Sequence, residues 1–192
     1  MKTIFQKIWE LAKPYLNTRM NDIHTEICRE FAYRLLKLEG GDEYVVIPAI
    51  ILHDVGWIEV PEKLQIKAFG PNATEPGLKR KHEIEGSRIA ENILRQVHYD
   101  RDITLEILKI IDGHDTREVA TSLNDKIVKD SDKLFRYSKE GFYIDLERFE
   151  ESFNEAINRL QNVIDKWFFT DSAKEFALKE LTDRLNESGV QG

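Results

Sequence analysis

A chain of 192 residues is long enough to bury a sizeable core in a single domain, and its formal net charge of −7 excludes the broad positive field that nucleic-acid polymers or anionic membranes attract. Its one cysteine, Cys28, excludes an intramolecular disulfide and fits a reducing compartment. The N-terminal MKTIFQKIWELAKPYL is interrupted by Lys7, Glu10 and Lys13, and no apolar run approaches ~18 residues, so neither a secretory leader nor a membrane span is expected and the cytoplasm is the expected setting.

Helical periodicity runs through most of the chain. From Asn21 to Leu38 apolar residues recur at Ile23, Ile27, Phe31, Leu35 and Leu38, and Gly40–Gly41 predicts the stop. Val45 to Val55 is apolar on nearly every side and reads as a buried helix, because no strand candidate is present to pair with it. From Val60 to Leu78 five Pro and Gly residues break the pattern apart from a short helical patch at Glu62 to Lys67, so a pocket-rim loop is predicted. Period returns at Lys81 to Val97, with Ile84, Ile89, Ile93, Leu94 and Val97 on one face. Asp100 or Asp102 predicts a cap for a helix carrying Ile103, Ile107, Leu108 and Ile111, and Thr121 or Ser122 opens the next through Ile127, Val128 and Leu134. Gly141 predicts a turn, Leu146 to Trp167 forms one continuous stripe, and SAKE at Ser172 to Glu175 resembles a capping box for a last helix. The expected fold class is all-α, a single globular bundle of about eight helices.

The chemistry concentrates in histidines and aspartates. Of five histidines, His24, His53, His82 and His114 are spaced by 29, 29 and 32 residues and sit in NDIHTE, LHDVG, KHEIEG and DGHDT. An acidic pair, Asp130 and Asp132, follows in IVKDSDKLF. Imidazole and carboxylate are together the donor set for divalent transition metals, and helices that each contribute one such residue can converge on a bundle interior. His98, at a helix end before polar residues, has no such context.

The order His24, His53–Asp54 and a late Asp in SDKL resembles the HD-domain metal-dependent phosphohydrolase superfamily, and HEIEGSRIAENIL and IIDGHD match the subgroup with two further histidines. The resemblance implies that His24, His53, Asp54 and the last aspartate hold one metal. It implies that His82 and His114 hold a second, with Asp54 between the two, and that His53 and Asp54 carry the catalytic centre. The DKL context selects Asp132 as the last aspartate. Helical phase alone does not, because Asp130 lies nearer Ile127, about 60° round the helix. The implied cofactors are one or two divalent transition ions, Fe, Mn, Ni, Co or Zn, because a His-rich set disfavours magnesium alone. The cyclic-dinucleotide branch carries two adjacent histidines and a Gly-Tyr-Pro signature, and this chain has Gly113–His114 and no such signature.

The expected activity is hydrolysis of a phosphate ester, mono- or diester, on a nucleotide or other small phosphorylated metabolite. The metal-bound water deprotonates near neutral pH, so no Ser, Cys or Lys nucleophile is needed. The alternatives are a di-iron oxygenase of the same helical class and a non-enzymatic helical protein with a relic site. A small phosphorylated substrate is the expected partner, with no nucleic-acid polymer and no membrane. Residues 22–137 form the expected metal-binding core within a single domain spanning 1–192, and 145–188 the helices packed on it or on a second copy of the chain. Lys79, Arg80 and Lys81, with Arg117 and Lys133, are candidate phosphate contacts or a solvated face. Glu83 is a candidate partner to a histidine but is expected to face solvent, and Trp57 is a candidate pocket wall but is expected to pack in the core.

Overall fold

The structure, a computed structural model, describes residues 2–188. At its centre lies α3 (Glu43–Leu52), whose residues Val45 through Leu52 are all buried. A helix apolar on every side needs neighbours on every side. These are α1 (Thr3–Leu16), α2 (Asn21–Glu39), α6 (Arg101–Ile111) and α7 (Leu123–Leu134). Each fully buried aliphatic side chain contributes roughly 1.5–3 kcal/mol. Asp42 opens α3 by accepting from the Tyr44 amide. Pro48 inside the helix deprives the Tyr44 carbonyl of its amide donor, and the Tyr99 hydroxyl supplies one at 2.7 Å.

A short α4 (Glu62–Gln65) lies in the irregular stretch, and α5 (Gly77–Gln96) packs along the 3-10 turn Val55–Glu59 and against α6. The side chain of Asp100 opens α6 and that of Ser122 opens α7. After a 3-10 turn at Phe135–Tyr137 come α8 (Lys139–Phe149), α9 (Phe153–Trp167) and α10 (Asp171–Ser188). Helix α10 packs on α2, α7 and α9. Among the described residues there are ten α-helices and no strand, which bears out the all-α expectation. No single helix among them is long and apolar enough to cross a membrane.

The extra helices have local causes. One is α1, and the other comes from the stripe Leu146 to Trp167, which is two helices. Glu150 takes a left-handed backbone (φ 54°), and Ser152 with Glu155 forms a capping box that restarts the helix. The stripe stays in phase across this break, so periodicity alone does not reveal it. Gly141 lies in the first turn of α8 rather than in a turn between helices. A Cβ there would collide with the Phe135 carbonyl. Thr170, not Ser172, caps α10 by accepting from the Ala173 amide. Ile84 is half-exposed, because the inner face of α5 begins with the polar His82 and Glu83.

Candidate metal centre

The expected helix Val45–Val55 ends three residues early. Leu52 is its last residue, His53 keeps helical angles as the cap, and Asp54 (φ −103°, ψ 4°) turns the chain into the 3-10 segment. Gly56 lies in that segment, against the backbone of α5 at His82 and Gly86. Any Cβ at Gly56 would overlap the His82 carbonyl, so the glycine is what lets α5 bring His82 beside Asp54.

The helices then deliver their side chains to one place. His24 from α2 and His53 from the end of α3 bring their Nε2 atoms to 3.0 Å. Asp132 Oδ1, from α7, lies 3.3 Å from His24 Nε2 and 3.7 Å from His53 Nε2. His82 from α5 and His114 from the turn after α6 form a second imidazole pair, Nε2 to Nε2 3.3 Å. Asp54 stands between the pairs. Its Oδ2 is 3.6 Å from His24 Nε2, while its Oδ1 is 3.8, 3.7 and 3.6 Å from Nε2 of His53, His82 and His114. All six residues singled out in the sequence therefore converge. Asp130 and His98 do not join them, since Asp130 turns to the start of α10 and accepts from Phe169 N, Thr170 N and Thr170 Oγ1.

The donor set fits divalent cations. His53 Nδ1 donates to the Ile50 carbonyl at 2.7 Å and His114 Nδ1 to the Ile111 carbonyl at 2.9 Å. In their neutral forms both rings thus present Nε2 lone pairs to the centre, the arrangement that orients metal-ligating imidazoles. Electrostatics point the same way. Burial lowers the His53 pKa, but Asp54 and Asp132 outweigh it and raise it to about 9, so the acids demand positive charge there. Burial also opposes ionisation of Asp54 and Asp132, yet the surrounding imidazoles, and Lys133 beside Asp132, hold both well below the usual carboxylate range. His82 is pushed down to about 4 by burial and by His114, which keeps it neutral and ready to coordinate.

Further residues complete the centre, and the sequence reading passes over Asp115 and Lys129 and sets Glu83 at the surface. Asp115 Oδ2 lies 3.8 Å from His82 Nε2, and its other oxygen pairs with Lys133 at 3.1 Å. It stands next to His114 in DGHDT, and that adjacency was the available signal. Glu83 is fully buried, contrary to the solvent-facing expectation. Its carboxylate accepts from the Asp115 and Thr116 amides and the Thr116 hydroxyl. Lys129 grips the same turn from α7 by donating to the carbonyls of Gly113, His114 and Arg117. Trp57 is buried as expected and also stacks on the His82 ring at 4.0 Å and donates to Asp54 Oδ1. Cys28 Sγ comes within 3.5 Å of His24 Nε2, and His24, Cys28, His53 and Asp132 together form a group that could hold a metal ion; without an ion, burial raises the Cys28 pKa well above the usual value.

A cleft of about 610 Å³ opens beside His114, Asp115 and Lys133. Lys79, Arg136, Arg159 and Lys166 line it together with apolar residues that include Trp167 and Phe169. Of the basic run at 79–81, only Lys79 borders this cleft. Arg80 pairs with Glu83 and Asp112, and Lys81 is exposed.

No curated protein and no solved structure gives a significant match to the chain. The family model of the HD domain matches residues 21–137, more than half of the chain and the segment that carries every one of the converging histidines and aspartates. With both the sequence order and the converged geometry in agreement, the chain belongs to the HD-domain family of metal-dependent phosphohydrolases.

Proposed function

We propose that the protein hydrolyses a phosphate ester on a nucleotide or other small phosphorylated metabolite, with His24, His53, Asp54 and Asp132 holding one divalent transition ion and His82, His114 and Asp54 a second. The observation that carries this reading is the position of Asp54, within 3.8 Å of all four imidazoles, beside a cleft rich in lysine and arginine. Ions bound there would supply Lewis-acid charge and lower the pKa of a coordinated water. The residues of the chain do the rest. Lys133, held by Asp115 and Asp132, keeps a fixed positive charge where the cleft meets the centre. Glu83 and Lys129 fix the turn that carries His114 and Asp115, so that the centre does not reorganise during the reaction. Trp57 closes one wall and restrains both His82 and Asp54. The cationic lining favours an anionic substrate and so favours hydrolase over oxygenase chemistry.

The test is a screen of phosphorylated metabolites with Mn, Fe, Co, Ni and Zn added in turn, in air and without oxygen. Metal-dependent, oxygen-independent release of phosphate or of a phosphomonoester supports the reading. No turnover with any metal, or turnover only with oxygen, overturns it.

A further inference from the structure

Three arginines from three separate segments meet above the metal centre. Arg19 lies in the turn before α2, where it and Met20 adopt left-handed angles (φ 51° and 58°). Its guanidinium lies 4.6 Å from the Trp57 ring centre and 4.3 Å from that of Phe69. Arg136 and Arg148 are 5.9 and 5.7 Å from the same Phe69 ring. Buried Asp145 holds these two side by side, accepting from Arg136 at 2.6 Å and from Arg148 at 3.0 Å. Arg148 also donates to the Arg19 carbonyl. Together the arginines border a chamber of about 40 Å³ whose other walls include His24, Asp54 and Asp132.

Three guanidiniums packed this closely repel one another, and only Asp145 directly pairs with two of them. Two donors bordering the chamber also lack acceptors, Arg19 Nε and Asn21 Nδ2, and Asn21 is only 2 % exposed. Buried donors without acceptors are costly, so a chamber that gathers them beside three guanidiniums is built for an oxyanion. Arg19 lies 3.9 Å from Asp54 Oδ2, but Arg136 and Arg148 make their hydrogen bonds to Asp145 rather than to the acids of the metal centre.

Resting on the hydrolase reading above, we propose that Arg19, Arg136 and Arg148, with Asn21, form a clamp for the non-bridging oxygens of the phosphoryl group of the substrate, while the remainder of the substrate lies in the larger cleft that Phe69 and Arg136 also border. Asn21 and Arg136 lie within residues 21–137 and Arg19, Asp145 and Arg148 outside them, so the chain's flanking segments complete a clamp begun in the family core. A terminal phosphoryl group, with three non-bridging oxygens, matches the number of guanidiniums.

Calorimetric titration of the manganese-loaded protein with inorganic phosphate tests the clamp without requiring turnover. Arg19→Met and Arg148→Met are expected to weaken phosphate binding by roughly 10–100-fold each, the range for one lost charge-assisted hydrogen bond, with manganese content unchanged by elemental analysis. Arg19→Lys, which keeps the charge and loses the fork and Nε, is expected to recover only part of the affinity and serves if the Met variants fold poorly. Metal-loaded variants that bind phosphate as wild type does would overturn the clamp, as would a wild-type protein with no phosphate binding. Hydrolysis that persists without dependence on these arginines removes the clamp and leaves the hydrolase reading intact. Arginine-dependent phosphate binding without hydrolysis of any ester does the reverse.

Discussion

Asp130 and Asp132, two residues apart on α7, face different parts of the protein: Asp132 Oδ1 lies 3.3 Å from His24 Nε2, whereas Asp130 receives three hydrogen bonds from Phe169 and Thr170 at the start of α10. Asp132→Asn is therefore expected to lose metal from the His24–His53 side and to reduce hydrolysis by at least ~10³-fold, if the carboxylate sits on the ion that activates water. Asp130→Ala is expected to keep both metals and instead to cost roughly 2–4 kcal/mol, because each buried donor left unsatisfied costs about 1–3 kcal/mol. Elemental analysis and urea unfolding separate the two outcomes. A metal-free Asp130→Ala that retains wild-type stability would reverse the assignment.

The sharing of Asp54 sets a pattern for metal stoichiometry. Asp54→Asn is expected to weaken both ions, whereas His82→Ala or His114→Ala is expected to remove only the second. Metal titration followed by calorimetry would show one tight site remaining in the His82 variant. Two full-strength sites in that variant would reduce the centre to one metal.

Glu83 touches no imidazole within ion-pair distance but fixes the turn that carries His114 and Asp115. Glu83→Ala is expected to lower affinity at the second ion by ~10–100-fold while leaving the first unchanged, as loss of an orienting partner commonly does. A uniform loss at both ions would mean that the variant disturbs the fold more widely.

Gly56→Ala probes how closely α5 must approach. The added methyl overlaps the His82 carbonyl, so α5 must shift. The expected cost is ~1–3 kcal/mol, as for other overpacked sites, with a matching loss of second-ion affinity. Urea denaturation gives the first quantity and metal titration the second. Wild-type values for both would show that α5 can move without consequence.

Added metal should stabilise the protein. An ion present at 100 times its dissociation constant raises stability by about 2.7 kcal/mol if it binds only the folded chain. Thermal melts with and without a chelator measure this. Equal midpoints for wild type with Mn, Zn and chelator would indicate that the centre holds no ion.

The sequence by itself determined the all-α class, most helix positions and the six converging histidines and aspartates. Helical period is a local property of side-chain spacing, and the order His24, His53–Asp54, His82, His114 survives in one dimension. It missed the break at Glu150, because the apolar stripe remains in phase on both sides of it. Helical phase could not choose between Asp130 and Asp132. The DKL context selected Asp132, and the packing of α10 onto α7 supplies the physical reason, by giving Asp130 the amides of residues 169 and 170. Tertiary structure also decided the fate of the charged residues. Glu83 reads as a surface residue until the fold buries it, with Lys129, against one turn, and Arg19 and Arg148 lie 129 positions apart until α8 brings them together. The partners that make a buried charge tolerable are distant in the chain, so no local pattern announces them.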